Sequence, residues 1–290
     1  GGGSSRTVSA TLSAKAIKAG GAISLTGTSF NLSAAEDGIH SDTGITIDGG
    51  TYTISADDDG IHATSDITFE SGEIGITKSV EGVEGKLITV NSGNISVVSS
   101  DDGFNGTAGT QSEQNDGSYI YINGGTVIIN STTGDALDSN GSIAMKSGTV
   151  ILHGPKSSPE VAIDCNGTFN LSGGFLVASG PSSQMFEGPS SSSSQKSVML
   201  VFRSSNAAST IFNMQDSNGK SLVTFKPARA YSTMIFSSSE LVSGQTFSVY
   251  TGGSTTGNEA GGLYTGGTYS GGTLRQTISV SGTITSATIN

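Results

Sequence analysis

The sequence predicts an all-β fold, a parallel β-helix (solenoid) of about seven coils followed by a C-terminal antiparallel β section, and three observations predict it. An acidic turn recurs, with Asp37, Asp59, Glu81, Asp102, Asp135 and Val161 at equivalent places and steps of 22, 22, 21, 33 and 26 residues. A period of about 20 to 30 residues marks a stacked repeat. The same two alternating apolar pairs and the same Gly turn return within each interval. Finally, Gly reaches 43 against Pro 5 in a chain that is 33% hydrophobic and rich in Ser and Thr. Gly and β-branched Thr both weaken helices, so very little helix is expected.

Residues 1–20 read as a linker and cap, Gly1 to Ser5 being linker-like and Val8, Leu12, Ala16 and Ile17 too mixed for a strand assignment. The coils span 21–181. Each opens with an alternating strand, Ile23/Leu25, Ile45/Ile47, Ile67/Phe69, Ile88/Val90, Ile120/Ile122, Ile143/Met145 or Phe169/Leu171. Alternation places one face inward and one outward. A turn such as Gly49-Gly50, Ser71-Gly72 or Ser92-Gly93 leads to a second inward pair, Phe30/Leu32, Tyr52/Ile54, Ile74/Ile76, Ile95/Val97, Val127/Ile129 or Val150/Leu152. The acidic turn closes the unit, followed by one inward residue: Ile39, Ile61, Val83, Phe104, Leu137 or Ile163. One such unit buries nothing alone, whereas stacked units bury three columns in one tube. Leucine-rich repeats lack their Leu-x-x-Leu-x-Leu runs here, and propeller blades need about 40 residues each.

Two coils are enlarged, one by a polar loop from Gly106 to Ser118 and one by Gly154 to Pro159. Residues 182–196 form a Ser-rich low-complexity stretch expected to be a mobile linker or long loop. Strands are expected at Val198–Phe202, Thr210–Met214, Leu222–Phe225, Met234–Phe236 and Phe247–Tyr250, with Asn218-Gly219 as a hairpin turn. This section, 197–290, is expected to cap or flank the solenoid and to cover Ile128 and Ile151, apolar at outward places.

The net charge of −11 is local, since residues 35–165 hold 20 acids and 4 bases. Such a chain repels nucleic acid and anionic membranes, and no apolar run is long enough to span a bilayer. A single Cys excludes an internal disulfide, and Cys165 reads as a small core or turn residue.

In a stacked tube, equivalent residues lie ~4.8 Å apart. Asp37, Asp59, Glu81, Asp102 and Asp135 then form one ladder, and His40, His62, Glu84, Asn105, Asp138 and Asp164 a second. Unit charges at that distance repel by ~3 kcal/mol at an effective dielectric near 20. A partly buried ladder therefore needs counter-ions. Oxygen ligands without Cys select hard cations, and Ca²⁺ accepts them most flexibly. The expected ligands are Asp37, Asp58, Asp59, Glu81, Glu84, Asp101, Asp102, Asp135 and Asp138, with Gly60, Gly82 and Gly103 freeing carbonyls to turn toward an ion. Asp and Gly also populate ordinary solvated turns, and that reading stands beside the metal one. His40 and His62 read as turn residues or hydrogen-bond caps.

In the units DDGIHA, KSVEGVEG and SDDGFNG, the SGG-type turns and the end segment TFKPARAYSTMIFSSSELVSGQTFSVYTGG, the chain resembles the bacterial carbohydrate-binding β-helix family known for cellulose binding. The resemblance covers nearly the whole chain. It implies a right-handed parallel β-helix related to pectate and polygalacturonate lyases, bound calcium, an extracellular or cell-surface setting, and binding of cellulose and acidic sugar polymers without established catalysis. The related lyases hold calcium with Asp-Asp-x-x-Asp plus an Asp of the neighbouring coil. Here Asp58-Asp59-Gly60-Ile61-His62 and Asp101-Asp102-Gly103-Phe104-Asn105 lose the last carboxylate, while Glu81-Gly82-Val83-Glu84 and Asp135-Ala136-Leu137-Asp138 keep the ends.

The leading functional expectation is a calcium-stabilised, monomeric, non-catalytic polysaccharide binder, with Tyr119 and Tyr121 as the aromatic groups that stack on sugar. A pectate-type lyase is the alternative, with Lys78 beside the proposed cage as the base, partly buried and lowered in pKa. A structural surface adhesin is the third. Cys165 with His153 has only residue type to recommend it as a hydrolytic pair.

Overall fold

The computed structural model describes residues 13–110 and 114–290, so Gly1 to Ser5, Val8 and Leu12 lie outside the described residues, as does the centre of the Gly106 to Ser118 loop. Among the described residues the chain is all-β without a helix, and its first part is a parallel solenoid. Seven short strands, Ile17–Ala19, Ile39–Ser41, Ile61–Ala63, Val83–Gly85, Phe104–Gly106, Leu137–Ser139 and Ile163–Cys165, stack in register as one parallel sheet. Ile17 pairs with Ile39, so the segment expected to be a cap already supplies the first rung.

A fifteen-stranded sheet carries the other two faces. Ile23, Ile45, Ile67, Ile88, Ile120, Ile143 and Phe169 align in one inward column. Tyr52, Ile74, Ile95, Val127, Val150 and Leu176 align in another. All are buried, each fully buried side chain being worth about 1.5–3 kcal/mol. Phe30 shares this register with Tyr52 but is 38% exposed, because its strand, Ser29–Ala34, pairs on one side only. In two coils the first and second strands run together through the Gly turn, as Ile45–Ala56 and Asp66–Lys78. Gly50 shows why the turn needs Gly: its φ is +90°, and a Cβ there would lie 1.7 Å from the carbonyl oxygen of Thr28.

The last coil is closed twice. Tyr231–Ser237 pairs antiparallel with Phe175–Gly180, and Ser197–Asn206 and Ile284–Ile289 extend that sheet, the final pair being parallel. The Ser-rich stretch is tied down rather than mobile: the amides of Ser194 and Gln195 donate to Leu171 O, and the Leu171 amide donates to Ser193 Oγ. Ser and Gln here satisfy the unpaired backbone edge of the last coil.

A six-stranded antiparallel sheet lies against the second-strand face. Asn218-Gly219 turns between two of its strands, Phe212–Gln215 and Ser221–Phe225. Ile151 and Val177 are buried beneath it with Phe212, Phe225 and Phe236, and Ile128 packs at the margin. His153 and Arg229 lock the joint. The Ala228 amide donates to His153 Nδ1, Nε2 lies 2.9 Å from Gly261 O, and burial pushes the imidazole down to about 4. Arg229 donates to Asn130 Oδ1 and to the carbonyls of Ser131, His153 and Gly154.

Candidate functional site

The acidic turns stack as their spacing predicts. Backbone amides of Gly38, Gly60, Gly82 and Gly103 donate to the carbonyls of Asp59, Glu81, Asp102 and Asp135, which fixes those acids in one ladder. The second ladder follows from His40 paired with His62, then Glu84, Asn105, Asp138 and Asp164.

The glycines do not free carbonyls toward an ion. The carbonyls of Gly60, Gly82 and Gly103 accept the amides of Ile39, Ile61 and Val83. A Cβ on Gly82 would lie 2.3 Å from both Gly103 O and Val97 Cγ1. Gly is required because successive coils approach too closely for a side chain at this point.

Both ladders begin one coil earlier than the acids. Ala16 and Ile17 donate to Asp37 O and Gly38 O, so Lys15 stands above Asp37, and Lys18 stands above His40. Lys15 Nζ donates to Asp37 Oδ2, which also lies 2.6 Å from His40 Nδ1, while Asp37 Oδ1 is buried without a partner. Burial alone would push the Asp37 carboxyl up, but the hydrogen bonds from Lys15 and His40 hold it below the usual carboxylate range. His62 lies 3.3 Å from Asp59 and 3.5 Å from Glu84, and the hydrogen bond with Asp59 raises its pKa. The histidines also touch edge to face, with ring centroids 4.8 Å apart. The 22-residue step from Lys15 to Asp37 is visible in the sequence.

From Glu81 onward the ladders carry no such cations. Burial, then the neighbouring Glu84, pushes the Glu81 carboxyl up, and Asn105 Nδ2 donates to Glu81 Oε2 while Asn105 Oδ1 stays buried and unpartnered. Burial raises Asp102 to about 7, Asp135 to about 9 and Asp138 to about 8. The Asp135 amide donates to Asp102 Oδ1, and the Val161 amide donates to Asp135 Oδ1, ending that ladder.

Among the described residues, four groups bring ligand oxygens or nitrogens within 4.8 Å of one another: Asp37, His40 and His62; Asp37, Asp58 and Asp59; Asp59, His62 and Glu84; and Asp135, Asp138 and Asp164. Of the expected ligands, Asp37, Asp58, Asp59, Glu84, Asp135 and Asp138 fall within these groups. Glu81, Asp101 and Asp102 stand outside these groups, and His40, His62 and Asp164 join them. Lys78 is exposed and ion-paired with Asp57, not partly buried beside the acids.

On the first-strand face, Tyr119 and Tyr121 align with Leu87 and Thr89 on one side and with Ser142 and Ala144 on the other. Their rings stack on each other at 4.1 Å and 4°, so each covers one face of its neighbour. The half-exposed pair therefore offers its outer faces instead of a two-ring platform.

A family model described as "Carbohydrate-binding domain-containing protein" matches residues 1–60 and 54–201. No curated protein and no solved structure matches. No helix among the described residues is long and apolar enough to cross a membrane.

Proposed function

The chain belongs to the carbohydrate-binding domain family, and on that premise we propose that it is an extracellular, non-catalytic polysaccharide-binding protein braced by Ca²⁺. One observation carries the reading: the family match runs through the solenoid coils, which present the Tyr119 and Tyr121 pair on an outward face. An outer tyrosine face stacks on the C–H face of a sugar ring, and the solenoid side suits an extended polymer. Cellulose and polygalacturonate are the proposed ligands.

The donor set suits a hard cation in the C-terminal half of the ladders. Asp135, Asp138 and Asp164 converge within 4.8 Å, and burial holds Asp135 and Asp138 protonated at neutral pH unless a positive charge joins them. Ca²⁺ there would supply that charge and tie neighbouring coils together. A second oxygen set, Asp37, Asp58 and Asp59, includes the unpartnered Asp37 Oδ1.

Retention on insoluble cellulose and on immobilised polygalacturonate, with and without chelator, tests this function. Retention on either polymer is expected, weakened by Tyr121→Ala. Retention on neither would overturn it, and sustained release of unsaturated uronides would favour the lyase reading.

A further inference from the structure

Away from the tyrosine pair, the second-strand face carries an open groove of ≈ 590 Å³. Two outward columns floor it. Thr53, Gly75 and Ser96 align in one, which continues into Ile128, and Thr51, Glu73 and Asn94 align in the other. Ala260 of the outer sheet stands at its end. We propose that this groove binds an uncharged glycan, a proposal that rests on the carbohydrate-binding reading above.

The chemistry of the lining argues for it. Exposed Thr, Ser and Asn side chains both donate and accept, as sugar hydroxyls require, while Ile128 and Ala260 give a small apolar surface for ring C–H groups. Gly75 leaves a gap in the middle of the floor that the backbone does not demand. Its φ is not left-handed, and a Cβ would meet only Ser96 Oγ at 3.6 Å and Tyr52 O at 3.7 Å, ordinary contacts. The gap is spare volume in a wall where neighbouring coils carry Thr and Ser.

The closed end is rigid. Gly261 packs directly on Ile128, Gly261 O lies 2.9 Å from His153 Nε2, and the Lys226 amide donates to Gly262 O at 2.8 Å. A preformed wall reduces the ordering lost on binding. Charge selects the ligand class. Among the described residues, Glu73 is the one charged side chain of the lining, held by Asn94 Nδ2 at 2.6 Å, and no Lys or Arg lines the groove. A uronate would meet like charge with no cation to offset it.

Titration calorimetry of the full chain against cellohexaose, mannohexaose, xylohexaose and hexagalacturonate tests the proposal. At least one neutral hexasaccharide should bind. Gly75→Phe, which fills the floor, should weaken that binding at least tenfold with an unchanged melting temperature, and Thr53→Ala with Ser96→Ala should weaken it about threefold. Binding that survives both groove changes, or binding of hexagalacturonate alone, overturns the groove assignment while leaving polysaccharide binding intact. Binding of none of the four overturns both.

Discussion

The two halves of the acidic ladders share one backbone geometry and differ in what neutralises them. In the N-terminal half, Lys15 reaches Asp37 from the equivalent position of the preceding coil, and His40 and His62 reach Asp37 and Asp59 from three residues further along the same turn. From Glu81 to Asp164 no cationic side chain occupies a ladder position, and burial pushes Glu81, Asp102, Asp135 and Asp138 up. A stacked repeat multiplies whatever charge one turn carries, so each half needs its own answer. The first finds it in side chains, and the second must either hold protons or recruit a cation.

The largest expected effect removes what both halves depend on. Gly82 stands at their junction, and Gly82→Val places a Cβ 2.3 Å from Gly103 O. The coils must part there, so several kcal/mol of stability should be lost, read as a collapse of the cooperative thermal transition. An unchanged transition would show that coil spacing does not set the residue type.

The next effect separates the halves by pH. Asp102, Asp135 and Asp138 have folded pKa values above the ordinary carboxylate value of about 4. Groups raised in this way contribute stability that is full below about pH 4 and is lost as pH rises through 7 to 9. Metal-free protein should therefore melt progressively lower from about pH 5 to 9, each group losing at most about 1.4 kcal/mol for every pH step of one between its unfolded and folded pKa. Ca²⁺ should restore the loss, and Asp135→Asn should flatten both the pH slope and the Ca²⁺ response. A melting temperature indifferent to chelator at pH 8 would remove calcium from the reading. Asp37 works in the opposite sense: its depressed pKa gives stability above the ordinary carboxylate range that is lost on acidification.

A smaller effect isolates the N-terminal half. Lys15→Ala leaves Asp37, 1% exposed, without its ammonium partner and should cost about 2 kcal/mol at pH 7. Lys15→Met with Asp37→Asn should recover part of it, because the buried charge goes with its partner. Equal losses in both variants, measured by denaturant unfolding, would mean that packing of the lysine stem matters more than the ion pair.

Most of the solenoid is legible in the sequence because its signal is periodic. A two-residue alternation and a recurring turn at steps of 21 to 33 residues assign each ladder acid to its rung, and an apolar residue at an outward place, Ile151, marks the covered face. What is not legible depends on neighbours that sequence spacing does not name. The acidic-turn glycines resemble hinges for ion-binding carbonyls, whereas a facing carbonyl of the next coil excludes a side chain. The Ser-rich stretch has a disordered composition, yet the backbone edge of Phe169–Leu171 gives its polar groups partners. Asn258–Ala260, Leu263–Thr265 and Tyr269–Ser279 escape sequence reading because they are Gly-flanked or Gly-containing and almost wholly exposed or half-buried, so no clean alternation marks them. Among the candidate site residues, Lys15 escapes it because a cation does not look like a member of an acid ladder, although its spacing is that of one.

Lys78 draws the comparison out to the surface. It lies on the strand that leads into the Glu81 turn, yet its side chain is 64% exposed and its partner Asp57 is 59% exposed, so water screens both. An exposed pair of this kind contributes about 0.2–1 kcal/mol or nothing measurable. Lys78→Ala should therefore shift the melting temperature by no more than a degree or two and leave polysaccharide retention unchanged, in contrast to Lys15→Ala. A lyase base would behave otherwise: the same substitution would abolish release of unsaturated products from polygalacturonate at constant stability. One chain with one lysine removed thus distinguishes a surface cation, which the geometry favours, from a proton acceptor beside the acids.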